Sequence, residues 1–193
     1  MFSGLFRSGR STAIAPDKSK NTSGVYVADF VDPEELVFAE EGSSNGSGGL
    51  QQIVYRSSVP VTPDALDALC DKVGWPARQP GKLETALANS FLVSSVVLRR
   101  CGADGAPAEE RLIGLARCTS DHVFNATIWD VLVDPEFQGR GIGKALVAEM
   151  VKALLRRDIC SITLFADSNV EEFYEALGFE ANPSGVRGMF WYP

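Results

Sequence analysis

The stretch VDPEFQGRGIGKALV, residues 133–147, carries glycine at positions 139, 141 and 143. An apolar run with helical spacing begins at the same place, with Ile142, Leu146 and Met150 four residues apart. Inside a helix each glycine costs about 1 kcal/mol relative to alanine, so three glycines at a helix start need a reason. They let the backbone approach an anion closely, and a helix N-terminus offers unpaired N–H groups and partial positive charge. The stretch therefore predicts a strand, a phosphate-binding loop and a helix.

Three common phosphate motifs do not fit this loop. A P-loop requires glycine five residues before its Gly–Lys pair and a hydroxyl residue after it, and these positions hold Gln138 and Ala145. A dinucleotide fingerprint requires a small residue where Lys144 stands, and the protein-kinase loop fails by the same spacing. A kinase or an ATPase is therefore disfavoured. A different pyrophosphate loop and a glycine-rich turn without a ligand both remain open.

The loop and a second motif together resemble one family. The pattern Gln-x-x-Gly-x-Gly, which starts at Gln138, resembles the acetyl-CoA pyrophosphate loop of the GNAT superfamily of N-acetyltransferases. FYEALGF, residues 173–179, resembles the family's closing motif, in which a helix presents a tyrosine before a Leu-Gly-Phe corner. The resemblance extends from Leu50 to Pro193. The flanking segments GWPAR, KLETALANSFLV and GMFWYP are similar to the plastid GNAT group of plants and algae, which includes plant serotonin N-acetyltransferase.

The fold implied is α/β (α+β), a GNAT fold with a mixed central sheet of six to seven strands flanked by about four helices. Periodicity predicts the elements of a domain over residues 50–193. We expect strands within 50–58, 91–100, 111–120, 126–134, 159–167 and 186–193, and helices within 62–74, 82–90, 142–154 and 169–178. The strand in 159–167 has a nearly continuous apolar core, which predicts a place in the middle of the sheet.

Residues 1–49 are predicted to be a flexible extension. The first 24 residues are basic, rich in serine and threonine and poor in acids, which is typical of an organelle-targeting peptide, with an ordinary tail as the alternative. The segment AEEGSSNGSGGLQ, residues 39–51, is typical of a flexible linker. The expected location is the plastid, and otherwise the cytoplasm.

Composition narrows the class of protein. The chain has 193 residues, 45% of them apolar and 22% charged, as in a soluble globular protein. Its net charge of −7 argues against nucleic acid as a partner, and its apolar stretches are too short to cross a bilayer. The four cysteines are far apart and there is one histidine, so a metal site is not expected. The thiols are expected to be reduced and buried or half-buried.

The cofactor contacts follow from the resemblance. Backbone N–H groups of residues 138–144 would hold the pyrophosphate, with Arg140 and Lys144 adding charge, although both are also ordinary solvated charges at a helix start. The backbone of Leu132 and Val133 would pair with the pantetheine arm, and an N–H near Val133 would polarise the thioester carbonyl. The residues assigned to acetyl-CoA are Leu132, Val133, Gln138, Gly139, Arg140, Gly141, Gly143, Lys144, Asn169 and Phe173. Asn169 is alternatively a helix N-cap.

Two residues are candidates for the chemistry. Asp130 lies in the apolar run TIWDVLV, where an unpaired carboxylate is costly, so we expect a base that removes the amine's proton directly or through water. A satisfied strand-edge aspartate is the alternative. By the resemblance, Tyr174 is the acid that protonates the departing thiolate, and core packing is its alternative. Its phenol pKa of about 10 lies above that of a thiol, about 8.5.

Two further residues are candidates for binding the acceptor. Asp167 is a second carboxylate that can bind the amine, or a strand-end turn residue. Trp129 can form an aromatic wall for an aryl amine, or belong to the core. Cys118 and Cys160 lack a basic partner nearby in sequence, so a covalent acetyl-cysteine relay is not expected.

The predicted activity is direct transfer of an acetyl group from acetyl-CoA to a primary amine in a ternary complex. The resemblance implies an arylalkylamine such as serotonin. The alternative acceptors, which the resemblance also implies, are lysine side chains or N-termini of plastid proteins. A CoA-binding interaction module without activity is the hypothesis from another class, and it predicts the loss of the loop, the tyrosine or the carboxylate. The oligomeric state is not predicted.

Overall fold

A computed structural model describes residues 35–41, 50–57, 59–102 and 104–191. The first 34 residues and residues 42–49 lie outside it, and with them most of the predicted extension and linker. The strands are β1 (Glu35–Glu41), β2 (Gln51–Ser57), β3 (Leu92–Cys101), β4 (Pro107–Ser120), β5 (Asn125–Val133) and β6 (Ser161–Leu164). The helices are α1 (Pro63–Lys72), α2 (Pro80–Ala88), α3 (Ile142–Arg156) and α4 (Glu171–Glu175), with short 3-10 turns at Pro135–Phe137 and Pro183–Gly185.

The strands form one sheet in chain order, β1-β2-β3-β4-β5-β6. Each neighbouring pair is antiparallel except β5 and β6, which are parallel. Parallel strands need a crossover connection, and α3 supplies it. The predicted mixed sheet of six to seven strands with about four helices is confirmed, with six strands and four helices in the described residues.

Apolar layers cover both faces of the sheet. On one face, α3 buries Leu146, Met150 and Leu154 against inward-facing residues of β2 to β5. On the other face, α1 and α2 bury Leu66 and Leu83 against β4 and β5. Successive residues of a strand point to opposite faces, so Leu115 joins the α1–α2 layer while Ala116 joins the α3 layer.

The structure corrects the start of the sheet. Strand β1 lies before Leu50, inside the segment predicted to be a flexible extension, and it pairs along β2. Leu36 and Phe38 on β1 pack against the α3-side core, and the ring of Phe38 lies 5.5 Å from that of Tyr55. The range 50–58, predicted to hold the first strand, therefore contains the second strand of the sheet, Gln51–Ser57.

The structure also corrects the end of the sheet. Strand β6 has four residues and lies at the edge of the sheet, not in its middle, and its side chains are exposed or half-buried. The predicted last strand over 186–193 is wrong for residues 186–191, which are not in a strand, and residues 192–193 lie outside the description. A strand forms only where a neighbour completes its ladder, and β-favouring residues alone do not show whether such a neighbour exists. Within the described residues no helix is long and apolar enough to span a bilayer.

Candidate functional site

The site is built around a gap between the two parallel strands. Strands β5 and β6 pair from Asn125 and Ser161 as far as Ile128 and Leu164, and β5 then continues to Val133. The N–H of the next residue, Asp134, donates to the Ile113 carbonyl on the β4 side at 2.8 Å. Because N–H directions alternate along a strand, the N–H and C=O of Val133 point the other way, into the gap.

The loop after β5 is fastened at both ends. Buried Asp134 accepts a hydrogen bond from the Glu136 N–H at 3.0 Å and an ion-paired hydrogen bond from Lys72 of α1 at 2.7 Å. The side-chain amide of Gln138 donates to the Val133 carbonyl at 2.9 Å. These contacts fix the path of residues 134–138 against β5, and they show that Gln138 acts through its side chain to shape the loop.

Two glycines turn the chain into α3. Gly139 has φ +70° and Gly141 has φ +80°, values that side-chain-bearing residues rarely adopt. Gly141 is the N-cap and has no side chain to accept a hydrogen bond, while the Ala145 N–H forms the first intrahelical bond to the Gly141 carbonyl at 3.0 Å. The N–H groups of residues 142–144 therefore lack intrahelical acceptors. A β-carbon at Gly139 would meet no atom of the described residues within 4 Å, so none of them fills the space outside the loop.

Gly143 differs from these two glycines because its φ is not positive, and a β-carbon there would meet only ordinary contacts. A β-carbon there would lie 3.4 Å from the ring of Phe173 and 3.6 Å from the side chain of Val133. The start of α3, the end of β5 and α4 therefore meet at this glycine. Phe173, predicted to contact the cofactor, lies beside the loop through this contact.

The two cations of the loop are exposed. Arg140 donates to the Glu136 carbonyl at 2.9 Å, and its guanidinium lies 5.0 Å from the centre of the Phe137 ring. Lys144 is exposed in the first turn of α3. Both stand at the positive end of the α3 dipole, where a negative ligand group is favoured. Glycine conformation, uncapped N–H groups and open space together fit a pyrophosphate.

Asp130 lies in a β-bulge of β5. Leu115 pairs with Leu132 and Arg117 pairs with Trp129, so one residue of β4 faces two of β5, Asp130 and Val131. Asp130 takes a left-handed conformation with φ +51°, and its side chain is 12% exposed. A bulge re-aims a side chain, and here the carboxylate is aimed at the α1–α2 side of the sheet.

Two arginines hold this carboxylate. The Nε of Arg117 donates to Oδ2 at 2.5 Å. From the loop between α1 and α2, Arg78 lies 3.4 Å from each oxygen through Nη1 and 3.3 Å from Oδ1 through Nη2. The expectation of a base rested on an unpaired carboxylate, and the structure supplies partners, as the satisfied-aspartate alternative requires. The sequence analysis missed both arginines.

Tyr174 is half-buried on α4. Its ring lies 4.9 Å from that of Phe173 and 6.0 Å from that of Phe179, and it packs against the α3-side core. Burial raises the pKa of the phenol above its ordinary value of 10.0, and the negative charge of Asp167 raises that pKa further. Tyr174 is therefore protonated at neutral pH, and Asp167 is close enough to act on it electrostatically.

Trp129 borders the site with an aromatic surface. Its side chain is 36% exposed, its indole N–H donates to the Thr119 hydroxyl at 2.9 Å, and its ring lies 5.4 Å from that of Phe165. Phe165 in turn lies 5.1 Å from Phe190. Trp129 is thus not a core residue, and Phe165 is a neighbour that the sequence analysis missed.

Three further predicted site residues are Leu132, Asn169 and Asp167. Leu132 is buried in the α1–α2 layer and pairs with Leu115 of β4, so its N–H and C=O point toward β4 and away from the gap. Asn169 is exposed, and the N-cap of α4 is Val170, so the N-cap alternative for Asn169 is wrong. Asp167 is exposed, and its carbonyl accepts from the Val170 N–H at 2.9 Å in the turn before α4.

The four cysteines differ in their exposure. Cys70, Cys101 and Cys118 are buried and Cys160 is exposed, and all four are free thiols. Burial raises the pKa of Cys118 to about 11. Among the described residues there is no group of three or more side chains able to hold a metal ion.

Comparison with known sequences gives a family. The model of the acetyltransferase (GNAT) family matches residues 74–179. Over 193 residues the chain is 48% identical to a protein of Glycine max named histone acetyltransferase TAP1, covering 99% of this chain and 80% of that one. It is 46% identical over 201 residues to GCN5-related N-acetyltransferase 2, chloroplastic, of Arabidopsis thaliana, covering 99% of this chain and 77% of that one.

Solved structures show the same fold. A GNAT family acetyltransferase of Streptococcus pneumoniae superposes with a TM-score of 0.56 at 25% identity, covering 73% of this chain and 98% of that one. The family model, the alignments with the Glycine max and Arabidopsis thaliana proteins and the structural match all agree with the arrangement of β5, the glycine loop and α3. The chain belongs to the GNAT family and is an N-acetyltransferase.

Proposed function

We propose that the chain transfers an acetyl group from acetyl-CoA directly to a primary arylalkylamine such as serotonin. The observation that carries the acceptor class is the exposed aromatic surface of Trp129 and Phe165, which lies next to the carboxylate-bearing bulge at Asp130. An aromatic ring beside a carboxylate suits a ligand that joins an aryl group to an ammonium.

Acetyl-CoA supplies the activated acetyl group and a highly anionic pyrophosphate. The uncapped N–H groups at the start of α3 and the backbone at Gly139 and Gly141 hold that pyrophosphate, because they combine positive φ, open space and a helix dipole. Arg140 and Lys144 add positive charge at the same end. Asn169 and Phe173 contact the cofactor from the α4 side of the gap.

The end of β5 holds the thioester arm. The backbone of Leu132 and Val133 runs along the gap left by β6, where an extended ligand can pair with Val133 as an added strand. The Val133 N–H, which points into this gap, stabilises the thioester oxygen as that oxygen gains negative charge. The Val133 carbonyl is already bonded to Gln138.

Asp130 removes the proton of the amine. An alkylamine with a pKa near 10.4 is neutral in only about one molecule in two thousand at pH 7, so a proton acceptor is needed. Arg117 occupies Oδ2 at 2.5 Å, while Oδ1 has only the longer contacts with Arg78. Oδ1 is therefore the oxygen that takes the proton, directly or through a water, and Asp167 attracts the amine as a second carboxylate.

Tyr174 returns a proton to the departing thiolate. The raised pKa of Tyr174 keeps the phenol protonated and lies above the thiol pKa of about 8.5. Proton donation alone is thus uphill. The donation must therefore accompany cleavage of the carbon–sulfur bond.

A competition experiment tests the acceptor class. Purified protein with acetyl-CoA is offered serotonin and a lysine-containing peptide together, and kcat/KM is measured for each. The proposal expects serotonin to be preferred, and Trp129→Ala and Phe165→Ala to reduce that preference. A preference for the peptide would instead support acceptors among protein lysines and N-termini, which the name of the Glycine max relative favours.

A matched pair of variants tests the activity itself. Asp130→Asn and Tyr174→Phe keep the shape of each side chain and remove its proton chemistry, so both should lower kcat while acetyl-CoA still binds. Transfer at the wild-type rate in both would contradict these roles. If the wild-type protein binds CoA but transfers acetyl to none of the amines, the result would support a CoA-binding interaction module.

We also propose a plastid location. It is supported by the name of the Arabidopsis thaliana relative and by the basic, hydroxyl-rich first 24 residues. A fusion of those residues to a fluorescent protein should be imported into chloroplasts, and a uniformly cytoplasmic signal would contradict the proposal.

A further inference from the structure

Arg78 is a cation already placed at the carboxylate that the amine must reach. It lies in the connection between α1 and α2, and the carboxylate oxygens of Asp130 are 3.3–3.4 Å from its guanidinium nitrogens. A substrate ammonium carries the same charge and the same kind of donor as this guanidinium. The two cations therefore compete for one acceptor.

The two arginines grip Asp130 unequally. Charge-assisted N–H···O bonds usually measure about 2.7–2.9 Å. The Arg117 contact at 2.5 Å is short, while each Arg78 contact is longer than this range. Arg117 comes from the middle of the sheet and its side chain is 16% exposed, whereas that of Arg78 is 37% exposed. Arg78 is the partner that is easier to displace.

Arg78 also has a second contact on its own loop. Its guanidinium lies 5.0 Å from the centre of the Trp75 ring, within the range of a cation–π interaction. A guanidinium that leaves Asp130 can remain stacked on Trp75 and solvated on its exposed side. Its release therefore does not leave a buried charge without a partner.

The charges in direct contact with Asp130 favour this release. Two arginines and one aspartate give the cluster a net charge of +1, which repels an incoming ammonium. With Arg78 withdrawn, the remaining pair of Arg117 and Asp130 is neutral and exposes Oδ1.

We propose that Arg78 is a specificity-determining residue that occupies the amine-binding oxygen of Asp130 in the free protein and yields it to the substrate ammonium. This inference rests on the proposed function, since it assumes an amine acceptor at Asp130. It makes Arg78 a built-in competitor that weakens the binding of amines without taking part in the transfer.

The test compares Arg78→Met with Arg100→Met. Methionine keeps an unbranched side chain on Trp75 and removes the charge. Arg100 pairs with Glu109 on the exposed surface, so its variant makes the same change in net charge away from the site. Arg78→Met should lower KM for serotonin about tenfold, equivalent to about 1.4 kcal/mol, with KM for acetyl-CoA close to wild type. Arg78→Lys, which keeps a cation, should stay near the wild-type KM, and Arg100→Met should change neither constant.

Other outcomes overturn the inference. A fall in kcat with unchanged KM in Arg78→Met would make Arg78 a positioning residue for Asp130, and an equal KM change in Arg100→Met would make the effect one of net charge. Unchanged constants would also contradict it. Calorimetric binding of serotonin to the CoA-loaded protein separates this test from the proposed function. If the wild type transfers no acetyl group but Arg78→Met binds serotonin more tightly than the wild type, the proposed activity is contradicted and the competition between Arg78 and the amine is supported. Equal binding of serotonin by the two proteins would contradict the competition.

Discussion

The ion pair between Asp134 and Lys72 joins helix α1 to the start of the cofactor loop. Asp134 is 1% exposed, its Oδ2 lies 2.7 Å from the Lys72 ammonium, and its Oδ1 accepts from the Glu136 N–H. Asp134→Asn keeps the shape and the Oδ1 acceptor and removes the charge. The substitution therefore removes the charge-assisted contact with Lys72 together with the longer ion pair to Arg111 at 3.9 Å, and it places an amide NH2 donor beside the Lys72 ammonium.

The magnitude follows from the burial of the two partners. A hydrogen bond to a charged group contributes about 1.5–3 kcal/mol. Lys72 is 38% exposed and regains water when its partner is neutral, which places the loss at the lower end, at about 2 kcal/mol. For a domain of this size each kcal/mol corresponds to about 2–4 °C in Tm, so Asp134→Asn should melt about 4–8 °C lower.

The same contact has a pH signature. Burial alone would raise the pKa of Asp134, but the hydrogen bonds from Lys72 and Glu136 and the charges of Lys72 and Arg111 outweigh it and lower that pKa. A lowered folded-state pKa stabilises the protein above the unfolded value, about 3.9, and the contribution disappears as pH falls through the folded value. The stability gap between wild type and Asp134→Asn should therefore be constant from pH 7 to about 5 and narrow below about 4.

Urea denaturation across this pH range measures the gap. Asp158→Asn is the control, because it makes the same charge change at an exposed turn residue whose positive φ asparagine accepts. Adding Lys72→Met completes a double-mutant cycle, which should return a coupling of about 1–2 kcal/mol. A gap below 0.5 kcal/mol at pH 7, or a gap that stays the same down to pH 3, would refute the role assigned to this pair.

Three further predictions concern the site. Gly141→Ala should lose about 1–2 kcal/mol of stability, because Gly141 has a positive φ, and calorimetry should show weaker CoA binding. Gly143→Ala should be at least as stable as the wild type, because its β-carbon meets only ordinary contacts. Equal losses of stability in the two variants would contradict this difference. Tyr174→Phe should lower kcat about 10²–10⁴-fold, with KM for acetyl-CoA unchanged. It should also lack the loss of activity that we expect of the wild type at alkaline pH, where the phenol deprotonates. A wild-type rate would exclude Tyr174 as the acid. Iodoacetamide should label Cys160 in the native protein and reach buried Cys118, whose pKa is about 11, only after unfolding; rapid native labelling of Cys118 would contradict its burial.

The loop and α3 could be predicted from sequence because their signals are local. Positive φ at Gly139 and Gly141 and the four-residue spacing of apolar side chains on α3 are properties of short segments. The strands β2 to β5 followed from the same kind of pattern. The family resemblance then implied a mixed sheet of six to seven strands flanked by about four helices.

The features that sequence missed depend on neighbours distant along the chain. Strand β1 exists because β2 offers an edge to it. The edge position of β6 is set by the whole sheet. Arg78 and Arg117 meet Asp130 across 52 and 13 residues. Only the pairing of Arg117 with Trp129 could have shown that an arginine lies beside the bulge, and that pairing depends on the register of two strands.

The most direct test of the account is a crystal structure of the protein with CoA. We expect the pyrophosphate within about 3.2 Å of backbone N–H groups in residues 138–144, the pantetheine arm beside Val133 in the gap between β5 and β6, and the sulfur within reach of the Tyr174 hydroxyl. A pyrophosphate bound away from the start of α3, or a sulfur on the far side of the sheet from Tyr174, would contradict it.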